Sequence, residues 1–331
     1  VKCKLGSINQ IGFKKHARLV EIDLIPLKRI VCLFCVPDST AFGKTFLWVS
    51  TSLAMSLQVF DYEQWTLRLP MLKAQYASAS PFPHIVLDNF INADLAKEAC
   101  QTFPKPDSGE WIQYKHVNEK KLGRHDRTAI PDVHLAIIDE LNSRRFVEWL
   151  SELTGIKYLI ADHSLEGGGL HQTERGGFLN IHTDFTAHQH QKHWARRVNV
   201  LLYLNTNWKE EYGGHLELWA RDMSKCEKKI LPVLNRCVIF NTNSDSFHGH
   251  PHPLNTPEGI TRKSIALYYF TEETAKPKAR ATDYRPLPTD STSKQLAILL
   301  DNFALRTYDF LKRQFGFNDR FISNLLKLFS K

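Results

Sequence analysis

Ten of the fifteen histidines fall between residues 163 and 252. The most informative of them ends the stretch Gly176-Gly-Phe-Leu-Asn-Ile-His-Thr-Asp184. On an extended chain, residues i and i+2 point to the same face, so the His182 imidazole and the Asp184 carboxylate can meet at one metal ion. A third ligand has to come from elsewhere. His248, in Asp245-Ser-Phe-His-Gly-His250, is the candidate, with His250 beside it as the rival. Two imidazoles and one carboxylate hold Fe(II) from one side and leave other coordination positions open. A His-X-Asp triplet alone is also common on ordinary surfaces, so the pair needs support from its surroundings.

That support begins at Arg262-Lys-Ser264. Arg262 and Ser264 share one face of an extended run, a permanently charged fork beside a hydroxyl, which suits a carboxylate bound deep in a barrel. On residues 198–204, Asn199, Leu201 and Tyr203 likewise share a face. A guanidinium, a hydroxyl, a phenol and an amide can together hold a dicarboxylate.

These residues need strands to position them, and short strands are what the sequence predicts. Extended runs at 158–160, 178–182, 198–204, 215–219, 238–240 and 265–270 are separated by Gly, Asn and Pro. Many short strands with turn signals indicate a sandwich or barrel, and double-sheet jelly rolls enclose ligand cavities. Upstream, residues 55–79 are loosely helical, with Trp65, Leu69, Leu72 and Tyr76 at spacings of three and four. Pro81 to Phe90 reads as a strand entered through prolines, and 92–101 as a short helix capped by Asn92. Residues 104–130 are polar and read as a long surface loop in which Trp111 and Tyr114 pack. Residues 132–154 read as two helices broken near Asn142-Ser143.

The ends differ from the middle. The formal net charge is +8, yet residues 1–60 carry 8 Lys/Arg against 3 Asp/Glu, and residues 276–331 carry 11 against 5. The middle is therefore slightly acidic, which argues against a nucleic-acid groove through it. Six scattered cysteines are no disulfide framework and predict a reducing compartment, the cytoplasm. Cys32 and Cys35 have metal-site spacing but no second pair, and read as two thiols. Phe42-Gly-Lys-Thr45 lacks the first glycine of a phosphate loop and reads as a turn. No run of about 18 apolar residues exists for a membrane span. Residue 1 is Val, and Met55 or Met71 is a candidate start, which makes residues 1–54 an extension without sustained periodicity. Residues 276–331 read as a basic linker and an amphipathic helical tail that packs back on the domain or touches a partner or membrane surface.

From Pro81 to Thr271 the chain resembles the prolyl 4-hydroxylase-like branch of the 2-oxoglutarate and Fe(II)-dependent oxygenases, bacterial type. The similarity runs through Pro81-Phe-Pro-His-Ile-Val-Leu-Asp-Asn-Phe90, Leu165-Glu-Gly-Gly-Gly-Leu-His-Gln172 and Gly213-Gly-His-Leu-Glu-Leu-Trp219. It continues through Asn235-Arg-Cys-Val-Ile-Phe240 and Ser246-Phe-His-Gly-His-Pro251, in the family's order. The resemblance implies an α+β protein with a double-stranded β-helix (jelly-roll) core at about 157–272, inside an oxygenase domain at 55–275 with N-terminal and flanking helices. It implies His182, Asp184 and His248 as iron ligands and Arg262 as the partner of the distal 2-oxoglutarate carboxylate. Ser264 and Tyr203 would assist Arg262, and Asn199 and Gln172 would line the co-substrate pocket. It further implies O2 as oxidant, succinate and CO2 as products, ascorbate as an accessory reductant, and a prolyl residue or small molecule as the hydroxylated substrate. A related halogenase would lack the carboxylate ligand, so Asp184 opposes that reading. The remaining alternative is a non-catalytic jelly-roll binding module. Among other polar residues, Glu217 reads as structural, and His188, His190 and His193 as a solvated loop rather than a second metal cluster.

Overall fold

Strand parity sorts the large sheet of this chain into a core that faces helices and a cavity that faces the opposite wall of the same sheet. The computed structural model describes residues 58–315, with side chains through residue 307, and the backbone of three strands nearer the N-terminus. Those strands, Cys3–Gly6 (β1), Ala17–Glu21 (β2) and Ile30–Phe34 (β3), form an antiparallel sheet in that order. They belong to a unit, Val1–Ala54, distinct from the unit Met55–Lys331. The sequence predicts no element there, so this sheet is an addition. The side chains of Cys32 and Cys35, the Phe42–Thr45 turn and the apolar positions from Phe321 onward lie outside the described residues.

The larger unit opens with a helix, Tyr62–Ser78 (α1), whose N-cap Asp61 accepts from the Gln64 backbone N–H. Its buried face is Tyr62, Trp65, Leu69, Leu72 and Tyr76, the three-and-four spacing that the sequence shows. Strand His84–Asp88 (β4) and helix Ala93–Gln101 (α2) follow, and the Asn92 side chain caps α2 as expected. Helices Asp132–Leu141 (α3) and Arg144–Thr154 (α4) divide at Asn142-Ser143, where Ser143 caps α4 and Gly155 ends it in the left-handed region.

Between α2 and α3 the expected loop contains a hairpin, Ile112–His116 (β5) and Glu119–Arg124 (β6). Polar side chains on both faces hide the period of two. The next strands are Ile160–Ala161 (β7), Gly169–Thr173 (β8), Phe178–Thr183 (β9), Trp194–Tyr203 (β10) and Leu216–Trp219 (β11). Then come Cys226–Ile230 (β12), Arg236–Asn241 (β13), His248–His250 (β14), Arg262–Glu272 (β15) and Asp283–Tyr284 (β16). The strands run β12-β11-β14-β9-β6-β8-β15-β10-β13-β4, with antiparallel pairing throughout. This sheet curls on itself as a jelly roll: β12, β11, β14 and β9 make one wall, β8, β15, β10, β13 and β4 the other, and β6 joins them.

On β10 and β15, Val198, Val200, Leu202, Ile265, Leu267 and Tyr269 turn outward into one buried cluster with Phe60, Trp65, Phe146 and Trp149 of the helical layer. Full burial of each such side chain contributes about 1.5–3 kcal/mol. The intervening residues Asn199, Leu201, Tyr203, Ser264 and Tyr268 line the space between the walls. After the sheet, residues 276–331 pack back in part. The β16 strand pairs with β9, and Asn302 of the last helix, Thr292–Phe315 (α5), bonds the Tyr284 backbone at 3.0 and 2.8 Å. Leu296, Leu299, Leu300 and Phe303 of α5 are exposed. Among the described residues, no helix is long and apolar enough to cross a membrane.

Candidate active site

The antiparallel pairing of β9 and β14 sets His182 directly opposite His248, their ring centres 4.5 Å apart. Asp184 follows β9 by one residue and reaches both: its Oδ1 is 3.7 Å from His182 Nε2 and its Oδ2 is 3.5 Å from His248 Nε2. All three are buried, each offers a ligand atom, and these atoms lie within 4.8 Å of one another. No other such His/Cys/Asp/Glu group occurs among the described residues. Close approach of the two strands requires Gly249, since a Cβ there would sit 2.7 Å from the Asn180 carbonyl oxygen and 2.8 Å from that of Leu179.

The second nitrogen of each ring identifies the tautomer. His182 Nδ1 lies 2.9 Å from the Asn180 carbonyl and His248 Nδ1 2.9 Å from that of Ser246. A carbonyl only accepts, so each Nδ1 carries a proton, and in the neutral ring each Nε2 presents its lone pair to the space shared with Asp184. Burial lowers the His248 pKa to about 4 against the pull of Asp184, so that imidazole is neutral at pH 7. Burial alone would raise Asp184, but Arg196, His248 and His182 hold it well below the usual carboxylate range. Two imidazoles, that of His248 neutral, and an ionised carboxylate fit a divalent iron.

Asp184 is oriented from behind. Asn199 Nδ2 donates to its Oδ2 at 2.8 Å, and Arg196 lies 3.2 Å from its Oδ1. Arg196 in turn donates to Asn199 Oδ1 at 3.1 and 2.7 Å and lies over the Tyr268 ring at 3.4 Å. The sequence reading places Asn199 in the co-substrate pocket. It does line the cavity, and its amide is committed to the Asp184 carboxylate. Arg196 is a residue that alternation conceals: simple parity would align Arg197 with Asn199, but a bulge between Arg196 and Val198 exchanges the two.

Across a cavity of about 260 Å³ stands Arg262, itself buried, with Ser264, Tyr203, Leu201 and Leu216 around it. Arg262 Nε donates to the Gly214 carbonyl at 2.7 Å, and its Nη2 donates to the Tyr203 hydroxyl oxygen at 3.2 Å. Burial raises the Tyr203 pKa against the influence of Arg262, so the phenol keeps its proton. Since its oxygen accepts from Arg262, its O–H is directed elsewhere, and the pair presents two kinds of donor to one carboxylate. Gly214 has φ +70°, and a Cβ there would meet Leu254 at 2.6 Å and Arg262 Cδ at 3.0 Å.

The other histidines and polar candidates separate by position. His250 lines the cavity but pairs with Leu179 and stands outside the ligand group; burial, with Arg262 and Lys121, keeps it neutral. Gln172 does not line the cavity. Its neighbours His171 and Thr173 do, whereas its amide donates to the Pro104 carbonyl at 3.0 Å and accepts from Thr261 at 2.7 Å. His188 is a buried anchor: its Nδ1 accepts from the His190 and Gln191 backbone N–H groups while its Nε2 lies 3.5 Å from Asp162. His190 is exposed and His193 bonds the Glu273 carbonyl, so the three diverge. Glu217 is structural, accepting from Trp219 Nε1 at 2.9 Å and pairing with Lys229. Beyond the predicted set the cavity includes Tyr114 and Lys121 of the β5–β6 hairpin and Tyr284 and Leu305 of the C-terminal segment.

Residues 168–270 match the model of the 2OG-Fe(II) oxygenase superfamily. The mouse (Mus musculus) prolyl 3-hydroxylase OGFOD1 is 24% identical over an alignment of 236 residues, and the match covers 65% of this chain. The match spans 38% of the mouse protein's length. A Pseudomonas putida prolyl-4-hydroxylase structure covers 61% of this chain and 100% of its own, at 17% identity and a TM-score of 0.45. A Trichoplax adhaerens prolyl hydroxylase, solved with a hypoxia-inducible-factor peptide, covers 62% and 90% at 18% identity and a TM-score of 0.45. The two imidazoles, the carboxylate and the buried arginine that converge in this chain all lie within the segment that matches the 2OG-Fe(II) oxygenase model.

Proposed function

We propose that the protein is an Fe(II)- and 2-oxoglutarate-dependent hydroxylase, and that His182, Asp184 and His248 hold the iron. The observation that carries this reading is the convergence of three buried ligand atoms within 4.8 Å, with both Nε2 lone pairs free. Iron in this position supplies activation of O2, coupled to decarboxylation of 2-oxoglutarate to succinate and CO2. The chain's own residues do the binding and orienting. Arg262 and Tyr203 take the distal carboxylate of the co-substrate, with Ser264 beside them. Asn199 and Arg196 fix the Asp184 carboxylate so that it faces both imidazoles. The buried walls around Leu201 and Leu216 keep bulk water from the carboxylate pair, which strengthens it.

The hydroxylated substrate in this reading is a prolyl residue of a protein, by the likeness to the mouse prolyl 3-hydroxylase; a small molecule is the alternative, and succinate release stimulated by a prolyl peptide or by a small metabolite separates the two. Ascorbate is the accessory reductant. Residues 55–275 form the oxygenase domain, and the free thiols of Cys100, Cys226 and Cys237 support the cytoplasm as its compartment. The test is anaerobic addition of Fe(II) and 2-oxoglutarate to the full chain, which should produce a weak visible charge-transfer band. A flat spectrum with metal bound removes the assignment. His182→Ala and Asp184→Ala should abolish succinate formation, and an unchanged rate in either would sink the ligand set.

A further inference from the structure

One cation in the cavity has no part in the site so far described. Lys121 lies on β6 two residues from Glu119, and both line the cavity. Its Nζ is 3.0 Å from a Glu119 oxygen and 5.3 Å from the centre of the Tyr114 ring. An ammonium has three N–H donors, and Glu119 takes one. Glu119 is itself shared, because its other oxygen lies 2.9 Å from His116 Nε2. His116 Nδ1 is 2.9 Å from Asp301 of α5, and the Asn118 amide donates to the same Asp301 oxygen at 2.6 Å.

Burial opposes charge on His116, but its bonds to Asp301 and Glu119 prevail and raise its pKa to about 9. The chain Asp301, His116, Glu119, Lys121 therefore alternates in sign at neutral pH. Glu119 stands between two cations and cannot fully neutralise both. The Lys121 charge also interacts favourably with that of Asp184, one of the candidate metal ligands. A 2-oxo dicarboxylate has two charged ends, and Arg262 with Tyr203 answers only one of them.

Building on the hydroxylase reading, we propose that Lys121 is a second carboxylate-binding residue, which holds the 2-oxo acid end of the co-substrate while Arg262 holds the other. We assign Asp301, His116 and Glu119 as positioning residues that link α5 to this ammonium. The C-terminal segment then completes the binding site, in keeping with Tyr284 and Leu305 lining the same cavity.

The experiment titrates the full chain, anaerobic and loaded with Fe(II), with 2-oxoglutarate and with 2-oxopentanoate, following the visible band. The second ligand keeps the 2-oxo acid end and replaces the distal carboxylate by a methyl group. Lys121→Met should weaken both ligands by the same factor, about tenfold or more, and Lys121→Arg should recover most of the loss. Arg262→Met should weaken 2-oxoglutarate alone. Asp301→Asn, remote from the ligands, should weaken both by a smaller common factor and leave Fe(II) affinity unchanged. Lys121→Met binding both ligands within twofold of wild type would overturn the proposal, as would a loss confined to 2-oxoglutarate. Should Lys121→Met fail to fold, Asp301→Asn carries the test, and wild-type affinity for both ligands counts against the proposal. A wild-type chain that binds Fe(II) but gives no band with 2-oxoglutarate defeats the hydroxylase reading itself, which keeps the two failures distinct.

Discussion

Replacing Arg262 by alanine separates a binding role from a structural one, and the structure allows both costs to be worked out. Arg262 is 6% exposed, and its guanidinium serves two internal acceptors, the Gly214 carbonyl at 2.7 Å and the Tyr203 hydroxyl at 3.2 Å. Leaving a buried polar group without its partner costs about 1–3 kcal/mol. The Tyr203 hydroxyl can turn its own O–H, so the Gly214 carbonyl carries most of that loss. The co-substrate carboxylate would lose its only arginine in that half of the cavity. Truncating one partner of a buried, hydrogen-bonded charge pair costs about 2–5 kcal/mol, which corresponds to a roughly 30- to 5000-fold weaker affinity. The expected result is therefore a modest drop in stability and a large rise in the 2-oxoglutarate concentration needed for the charge-transfer band. Fe(II) affinity should hardly move, since no Arg262 atom bonds to Asp184. Thermal unfolding reports the first quantity and anaerobic titration the second. A 2-oxoglutarate affinity within threefold of wild type, in a folded variant, would refute the role assigned to Arg262.

Asn199→Ala removes the 2.8 Å donor to Asp184 and an acceptor of Arg196; Fe(II) affinity should fall about 10- to 100-fold, measured by metal titration. Gln172→Ala should leave 2-oxoglutarate affinity within twofold, because its amide serves Pro104 and Thr261, yet lower unfolding stability by about 1–3 kcal/mol. Gly249→Ala should push β14 away from β9, costing about 1–3 kcal/mol in overpacking and weakening metal binding measurably by the same titration. His116 has a folded pKa near 9 against 6.5 in the unfolded chain, so its stabilisation is full below about pH 6.5 and lost as pH rises through about 9. Amide exchange in α5, corrected for its intrinsic pH dependence, should accelerate across that window and stay flat in His116→Gln.

The convergence of His182, Asp184 and His248 was legible because it is largely local. His182 and Asp184 lie two apart on one strand end, and His248 needed only a second strand to face the first. The cavity side of Arg262, Ser264 and Tyr203 was legible for a related reason: from Val198 on β10 and along β15, apolar residues that meet the helices alternate with mostly polar ones that meet the cavity. Alternation also misled where the backbone departs from it. The bulge in β10 brings Arg196 onto the Asn199 side, and no residue type at that position announces it. Gln172 erred in the other direction, being one residue out of phase with His171 and Thr173. The β5–β6 hairpin was hidden by charge, for Lys120, Lys121 and Arg124 read as a solvated loop until β8 and β9 are seen to flank them.

Lys121 shows why that last omission bears on function. A lysine in a polar run is ordinarily solvated, and nothing nearby in sequence says otherwise. What changes its meaning is long-range pairing. β6 sits between β8, which carries His171 and Thr173, and β9, which carries His182, so alternate residues of β6 are turned into the space that the ligands enclose. Once Glu119 and Lys121 are inside, burial makes each charge costly unless it is paired. The carboxylate of Glu119 is then drawn to His116, and His116 to an acid 185 residues away on α5. The same requirement, that a buried charge be answered, governs Asp184 with Arg196 and Asn199. Both networks tie the cavity to strands or helices that carry none of the proposed metal ligands. Substitutions at Arg196, which contacts Asp184, and at Asp301, which contacts no proposed metal ligand, should therefore alter binding affinities, whereas Val200, on the opposite face of β10, should change stability alone.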